Sequence, residues 1–304
     1  MPRRAEPDPS LPVLTLMPEA TAAGLTPDQV RQRLRSGAWS HVARGAYLPD
    51  GEHQFVDVGV HTRARIDHIY RAVAAALRNP GATVCDASAA VMNGLSVLEL
   101  PARVQLGVPP GKWSGTRSGI DFRIRAFTAT DVVQGRVPLA SPLRCWVDIT
   151  RLGTLADSLV CGDSAVRRGK LDPPEVAALV DGWAGQRGCR RLHRAAPLLD
   201  GERETALESA SIAYFVEHGI PIPACQVTIR ARSGSFLGRV DFLWEFALLV
   251  GESDGRLKYV DADALYAEKR REDAIRSEGY GFVRWGMGDL RSRALADRLH
   301  RLLR

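Results

Sequence analysis

The stretch Gly238-Arg-Val-Asp-Phe-Leu-Trp244, followed by Leu248-Leu-Val-Gly-Glu-Ser-Asp-Gly255, decides how the C-terminal third folds. Both are short apolar runs broken by acidic residues, Asp241 in the first and Glu252 and Asp254 in the second, and they read as the two strands of a hairpin. A turn centred on Phe246-Ala247 sets Asp241 opposite Glu252. Asp254, two residues on, falls on the same face if the strand runs that far. Opposed carboxylates with Cβ atoms about 5 Å apart repel unless a cation or a proton sits between them. A divalent ion, Mg²⁺ or Mn²⁺, meets that need. Such an ion is held by one or two carboxylates, completes its shell with water and phosphate, and can activate water for phosphodiester cleavage. Asp241 and Glu252 are therefore candidate metal ligands; the alternative is a solvated acidic edge. A helix over Glu204 to His218, carrying Glu208, and a strand near Gln226 to Arg232 precede the hairpin.

Length and composition bound the rest. The chain has 304 residues, 45% hydrophobic and 25% charged, enough for two or three domains with real cores. No run approaches the roughly 18 apolar residues of a membrane span, and the start, Met-Pro-Arg-Arg-Ala-Glu-Pro-Asp-Pro-Ser, lacks a signal-peptide core. The five cysteines are widely spaced without a Cys-x-x-Cys pair, so reduced thiols in the cytoplasm are expected rather than disulfides or zinc. Net charge is +6, and the excess sits in the middle: residues 56–200 carry 19 basic and 13 acidic groups, while 1–55 and 201–304 are balanced. Of the 41 basic residues 37 are Arg, the residue suited to bidentate phosphate and base contacts. A GC-rich genome produces the same bias, so charge permits a nucleic-acid partner without requiring one.

At the N-terminus a short helical run ends at Gly24, and a second helix opens at Thr26-Pro27-Asp28-Gln29. Thr26 and Gln29 make a capping box, Pro27 suits the first helical position, and Asp28 complements the positive helix end. Val30 and Leu34 form its apolar stripe, which leaves Gln29, Arg31, Gln32, Arg33 and Arg35 pointing elsewhere. These are base-reading and phosphate-binding residue types. Two short strands around Arg44-Gly45 follow as a wing. Together they predict a winged helix-turn-helix whose recognition helix enters the major groove of duplex DNA, with Arg44 on the backbone. In the middle, residues 61–78 predict a helix that buries Ile66, Ile69, Tyr70, Val73 and Leu77, followed by strands over 104–108 and 122–126 and a helix over 141–148. No metal, nucleophile or phosphate-loop pattern appears there.

Ala23-Gly-Leu-Thr-Pro-Asp-Gln-Val-Arg31, Arg35-Ser-Gly-Ala-Trp39 and Arg44-Gly-Ala-Tyr47 resemble the N-terminal winged helix of the abortive-infection type IV antitoxins (AbiEi-like). The resemblance implies repression of the antitoxin's own operon and neutralisation of a nucleotidyltransferase-type toxin. It extends more loosely to about residue 200.

The C-terminal third resembles the PD-(D/E)XK nuclease superfamily, in the branch of very-short-patch-repair endonucleases. The matching pieces are Leu207-Glu-Ser209, Pro221-Ile-Pro-Ala-Cys-Gln226, Arg239-Val-Asp-Phe242, Gly251-Glu-Ser-Asp-Gly255, Glu268-Lys-Arg-Arg-Glu-Asp273, Gly279-Tyr280 and Val283-Arg-Trp285. By position the resemblance implies Asp241 and Glu252 as metal ligands, Glu208 as an auxiliary acid and Gln226 as a supporting residue. Asp254 stands where the family has the lysine of Glu-x-Lys, and Leu257-Lys258 where relatives often have His; Lys258 or Lys269 could supply the missing charge.

The expectation is an α/β (α+β) protein in three parts. Residues 1–55 form a winged helix-turn-helix, 56–200 a mixed α/β region and 201–304 a restriction-endonuclease-like domain. The leading functional reading is a duplex-DNA-binding protein with a Mg- or Mn-dependent endonuclease-like domain, whose catalytic set would be Glu208, Asp241, Glu252, Asp254 and Lys258. The alternative is a non-enzymatic antitoxin and autorepressor with an inactive nuclease fold.

Overall fold

The computed structural model describes residues 14–49, 60–254 and 262–304. The chain is a mixed α/β protein that divides into two compact units, Met1–Asp148 and Ile149–Arg304.

The first unit opens with β1 (Thr15–Leu16), α1 (Met17–Ala22), α2 (Pro27–Arg35), β2 (Trp39–Ala43) and β3 (Ala46–Pro49). The three strands form an antiparallel sheet in the order β1-β3-β2, so a helix pair is followed by a hairpin, in the element order expected from the sequence. Both halves of the predicted capping box form: Thr26 Oγ1 accepts from the Gln29 amide at 3.3 Å, and Gln29 Oε1 accepts from the Thr26 amide at 2.8 Å. Ala20, Val30 and Trp39 make a small core to which Met17, Leu25, Leu34 and Tyr47 add their flanks.

The same unit continues through α3 (Val60–Arg78), β4 (Thr83–Val84), α4 (Asp86–Met92), β5 (Val104–Val108), β6 (Gly115–Arg117), β7 (Ile120–Ile124), β8 (Val132–Val133), β9 (Leu139–Ala140) and into α5 (Pro142–Leu152). Its six-stranded sheet runs β6-β7-β5-β4-β9-β8. The buried face of α3 differs from the predicted one. His68, Ala72, Val73, Ala75 and Ala76 are buried, whereas Ile66, Ile69, Tyr70 and Leu77 are half-buried. Small side chains let the helix approach the sheet closely, so the tightest contact falls on alanine rather than on the bulkiest stripe. Asp86, Arg125, Asp148 and Arg144 form a buried chain of charge: Arg125 pairs with both carboxylates and Arg144 clamps Asp148 at 2.7 Å.

The second unit begins with α6 (Leu155–Arg167), α7 (Pro173–Gly182) and α8 (Cys189–Ala195). It continues with α9 (Ala206–Glu217), β10 (Ala224–Arg230), β11 (Phe236–Trp244), β12 (Leu249–Ser253), α10 (Ala262–Ser277), β13 (Gly281–Trp285) and α11 (Ala294–Leu302). The fully buried Asp163 of α6 binds Arg203, just ahead of α9, at 2.7 Å. The boundary at 148/149 therefore lies inside the 56–200 stretch, and α6 to α8 belong to the compact unit that holds the C-terminal sheet.

That sheet runs β10-β11-β12-β13, with the first three strands antiparallel and β13 parallel to β12 after the α10 crossover. Phe215, Phe242, Trp244 and Trp285 interlock at centroid distances of 5.4–6.4 Å. Gly251 lies beneath them, where a Cβ would come within 2.6 Å of the Trp285 ring; any side chain there would push the indole out and shift the strand that carries Glu252.

Candidate functional site

The predicted hairpin register holds. Phe242 pairs with Gly251 and Trp244 with Leu249, and continuing the ladder by one residue sets Asp241 opposite Glu252. The connection is a 3₁₀ turn over Glu245–Ala247 closed by Leu248 in the left-handed region, not a two-residue turn. On the next strand Gln226 falls between the pairs Cys225–Phe242 and Val227–Val240, across from Asp241. On the other side Glu252 is in register with Arg284 of β13. One row thus crosses the sheet: Gln226, Asp241, Glu252, Arg284.

The row is already hydrogen-bonded and charge-paired. Glu252 is buried, 6% exposed. Its Oε1 accepts from Arg271 Nη2 at 2.7 Å and its Oε2 pairs with Arg284 Nη2 at 2.7 Å. Asp241 Oδ2 accepts from both the amide and the hydroxyl of Ser253, each at 2.9 Å. Arg284 also reaches Glu272 at 3.0 Å, Glu268 at 3.1 Å and Asp254 at 3.7 Å. Burial pushes the carboxyl of Glu252 up from its ordinary value, against the pull of Arg271. Asp254 is likewise raised, by burial first and against the pull of Arg284. Burial works against the charge of Arg284, yet Glu252 and then Asp254 hold its pKa above the ordinary value.

A divalent ion is the cation expected between Asp241 and Glu252, with Lys258 or Lys269 supplying the charge of the missing Glu-x-Lys lysine. In the structure a guanidinium lies among the carboxylates. Both oxygens of Glu252 face guanidinium nitrogens, so this donor set does not fit a divalent ion: a metal would have to displace Arg284 or Arg271 from a short, half-buried pair. Among the described residues no group of three or more His, Cys, Asp or Glu is placed to hold a metal. Asp254 lies just past the end of β12 and is exposed. Lys258 lies outside the described residues, and Lys269 is exposed on α10.

Glu208, buried at 2%, is engaged at the start of its own helix. It accepts from the Thr205 hydroxyl at 2.8 Å, the Glu204 amide at 2.9 Å and Gln226 Nε2 at 2.8 Å. Gln226 makes that bond from a left-handed backbone, φ 54°, a conformation costly for a residue with a side chain. The two predicted partners are thus joined to each other. Arg271 and Arg284 are the members of this cluster to which the sequence reading gives no role. The available signal was the run Gly281-Phe-Val-Arg-Trp285, where one charge interrupts an apolar strand and so demands a partner.

The predicted DNA-contact residues behave differently. Gln29, Arg31, Gln32, Arg33 and Arg35 are all exposed, on a helix whose one buried side chain is Val30, and Arg44 is exposed at the hairpin turn. Arg31 pairs with Asp28, one helical turn back, and Arg33 lies over the Trp39 ring, 5.2 Å from its centroid. The exposed Asp28 is the carboxylate these side chains meet in the described residues of α2.

No family model matches the chain. It is 26% identical over 210 residues to two Mycobacterium tuberculosis proteins described as uncharacterized, MT2308 of strain CDC 1551 / Oshkosh and Rv2248 of strain ATCC 25618 / H37Rv, and the match covers 69% of this chain and 76% of each. Among solved structures, the crystal structure of the Rv2827c protein from the same species is similar over 73% of this chain and 85% of that one, with 15% identity and a TM-score of 0.35.

Proposed function

We propose that this chain is a cytoplasmic duplex-DNA-binding protein, a non-enzymatic antitoxin and transcriptional autorepressor of the type IV kind, in which the C-terminal sheet keeps a nuclease-like outline without cutting. The observation that carries this reading is the α2 surface. A capped helix with one buried side chain offers Gln29, Arg31, Gln32, Arg33 and Arg35 to solvent beside a hairpin tipped by Arg44. Gln29 also caps the helix, Arg31 pairs with Asp28 and Arg33 lies over Trp39, but all five side chains stay open to solvent. They suit a major-groove helix with a backbone-contacting wing. A nucleotidyltransferase-type toxin is the protein partner this reading implies.

The second reading is a Mg- or Mn-dependent endonuclease. It is favoured by the row Gln226, Asp241, Glu252 and by the element order around it, and disfavoured by the two guanidinium groups on Glu252.

Purified protein incubated with the fragment upstream of its own gene, and with unrelated duplex, in Mg²⁺ or Mn²⁺ separates the two. Retardation of the upstream fragment with all DNA intact is the expected result. The Arg31→Ala, Arg33→Ala variant should bind more weakly, with the salt slope reduced by about 0.9 per lost phosphate contact. Cleavage by the natural chain but not by its Asp241→Asn, Glu252→Gln variant would overturn the proposal in favour of the nuclease.

A further inference from the structure

Between the end of α3 and the β6–β7 hairpin lies a cavity of about 800 Å³, within the roughly 300–1,000 Å³ of small-molecule sites. Arg78, Lys112 and Arg117 line it, all three exposed, and no carboxylate does. None of the three has an ion-pair partner among the described residues. That sets them apart from the neighbouring Arg103, Arg123, Arg125 and Arg144, each paired with an aspartate. A concave wall with three cations and no carboxylate attracts anions.

Another lining residue, Trp113, narrows the anion. Trp113 is 59% exposed, and the other five tryptophans of the chain are buried or half-buried. It is held in place all the same. Phe122 meets its ring at a centroid distance of 5.7 Å and 57°. Gly115 passes so close that a Cβ would lie 2.9 Å from the indole Cζ2. The hairpin beneath it is fixed by a Ser118-Gly119 turn with both residues at positive φ, 53° and 74°, the type I′ geometry that suits the strand twist. The ring is therefore positioned before any ligand arrives, with much of its surface open to water. A fixed aromatic face beside unpaired cations is the arrangement that stacks a base and holds its phosphate.

We propose that this pocket binds a nucleotide, its base stacked on Trp113 and its phosphate held by Lys112, Arg117 and Arg78. The nucleotide can be free or part of a single strand; the recognition chemistry is the same, and the experiment separates the two. The inference does not rest on the winged-helix reading, since none of the probes is duplex DNA.

The test is calorimetric titration of the full-length protein at low salt with ATP, AMP, a short oligothymidylate and inorganic phosphate. Micromolar to low-millimolar binding of ATP or AMP identifies a free-nucleotide site, and binding of the oligothymidylate without the mononucleotides identifies a strand site; either supports the proposal. Trp113→Ala should weaken binding about tenfold or more, and Trp113→Phe, which keeps a ring, should retain most of it. Lys112→Glu with Arg117→Glu should abolish it. These side chains are exposed, and an unchanged melting temperature confirms that each variant is folded. Inorganic phosphate binding as tightly as ATP, affinity unchanged in Trp113→Ala, or no saturable binding of any probe would overturn it.

Discussion

The α2 surface and the carboxylate row of the C-terminal sheet are both built on arginine, and they put it to opposite uses. On α2 the arginines are exposed: Arg31 pairs with the exposed Asp28 and Arg33 lies over Trp39. On the sheet Arg271 and Arg284 are half-buried and carry short pairs to Glu252. Residues 201–304 hold equal numbers of basic and acidic groups, and the structure shows how that balance arises locally: Glu252, Asp254, Glu268 and Glu272 surround Arg284. Charge available for binding is charge not already neutralised within the fold. By that measure the α2 arginines remain available to the proposed DNA partner, and the sheet row is an internal ion cluster.

The comparison breaks most directly at Arg284. Replacing it with Met leaves Glu252 buried against one remaining arginine, and leaves Glu268 and Glu272 facing Glu252 without the cation they shared. Removing one partner of a buried pair costs about 3–5 kcal/mol; Arg284 is itself about one-third exposed, so the expected loss is about 3 kcal/mol. Urea unfolding followed by the tryptophan cluster of this unit measures it. Adding Glu252→Gln should restore part of the loss, because the orphaned charge is then gone. If Arg284→Met is neutral, the cluster is not holding the sheet together, and the carboxylates regain their candidacy as metal ligands.

Acid should separate the two units in sign. His68 of α3 is fully buried, with Nε2 2.9 Å from the Ser88 hydroxyl and Nδ1 without a partner. Burial, then Arg71 and Arg65, lower its pKa from 6.5 to about 4. Between those pH values the unfolded chain binds a proton that the folded unit does not. The contribution is complete above pH 6.5 and is lost as pH falls, by about 3 kcal/mol on reaching pH 4. Glu252 runs the other way. Burial raises its folded value above 4.5, so as pH falls toward 4.5 the folded sheet takes up a proton before the unfolded chain does and gains stability. Native-state hydrogen exchange, corrected for intrinsic rates, should show α3 amides losing protection and β12 amides gaining it between pH 6.5 and 4.5. His68→Gln should flatten the first trend. Parallel losses in both units would show that Glu252 does not behave as a buried acid.

What sequence reading reached follows from the range of the interaction involved. The capping box at Thr26 and the opposition of Asp241 to Glu252 are set within a few residues or one hairpin, so spacing alone carries them. Arg284 was out of reach because its register with Glu252 depends on the α10 crossover, and a parallel pairing leaves no short-range trace. The bulkiest apolar stripe of α3 does not mark its buried face: the fold buries Ala72, Ala75 and Ala76 and with them His68 on the same face. The chain from Asp86 through Arg125 and Asp148 to Arg144 joins residues distant in sequence through the six-stranded sheet. In each missed case the partner of a polar side chain lies on an element whose packing the local sequence does not encode.

The smallest effect sharpens the α2 side of the comparison. Thr26→Ala removes the acceptor of the Gln29 amide at the start of α2, which costs about 1 kcal/mol. The helix has little else to stabilise it, since Val30 is its one buried side chain. Part of that cost should therefore appear as weaker duplex binding, because the bound state requires a formed helix. The salt slope should stay unchanged, because no phosphate contact is lost. Arg33→Ala, by contrast, should lower the slope by about 0.9 if it contacts phosphate. Affinity measured across a salt series for the two variants separates the scaffold of the helix from its contacts: a changed slope for Thr26→Ala would mean that the N-terminal turn itself lies against the DNA backbone.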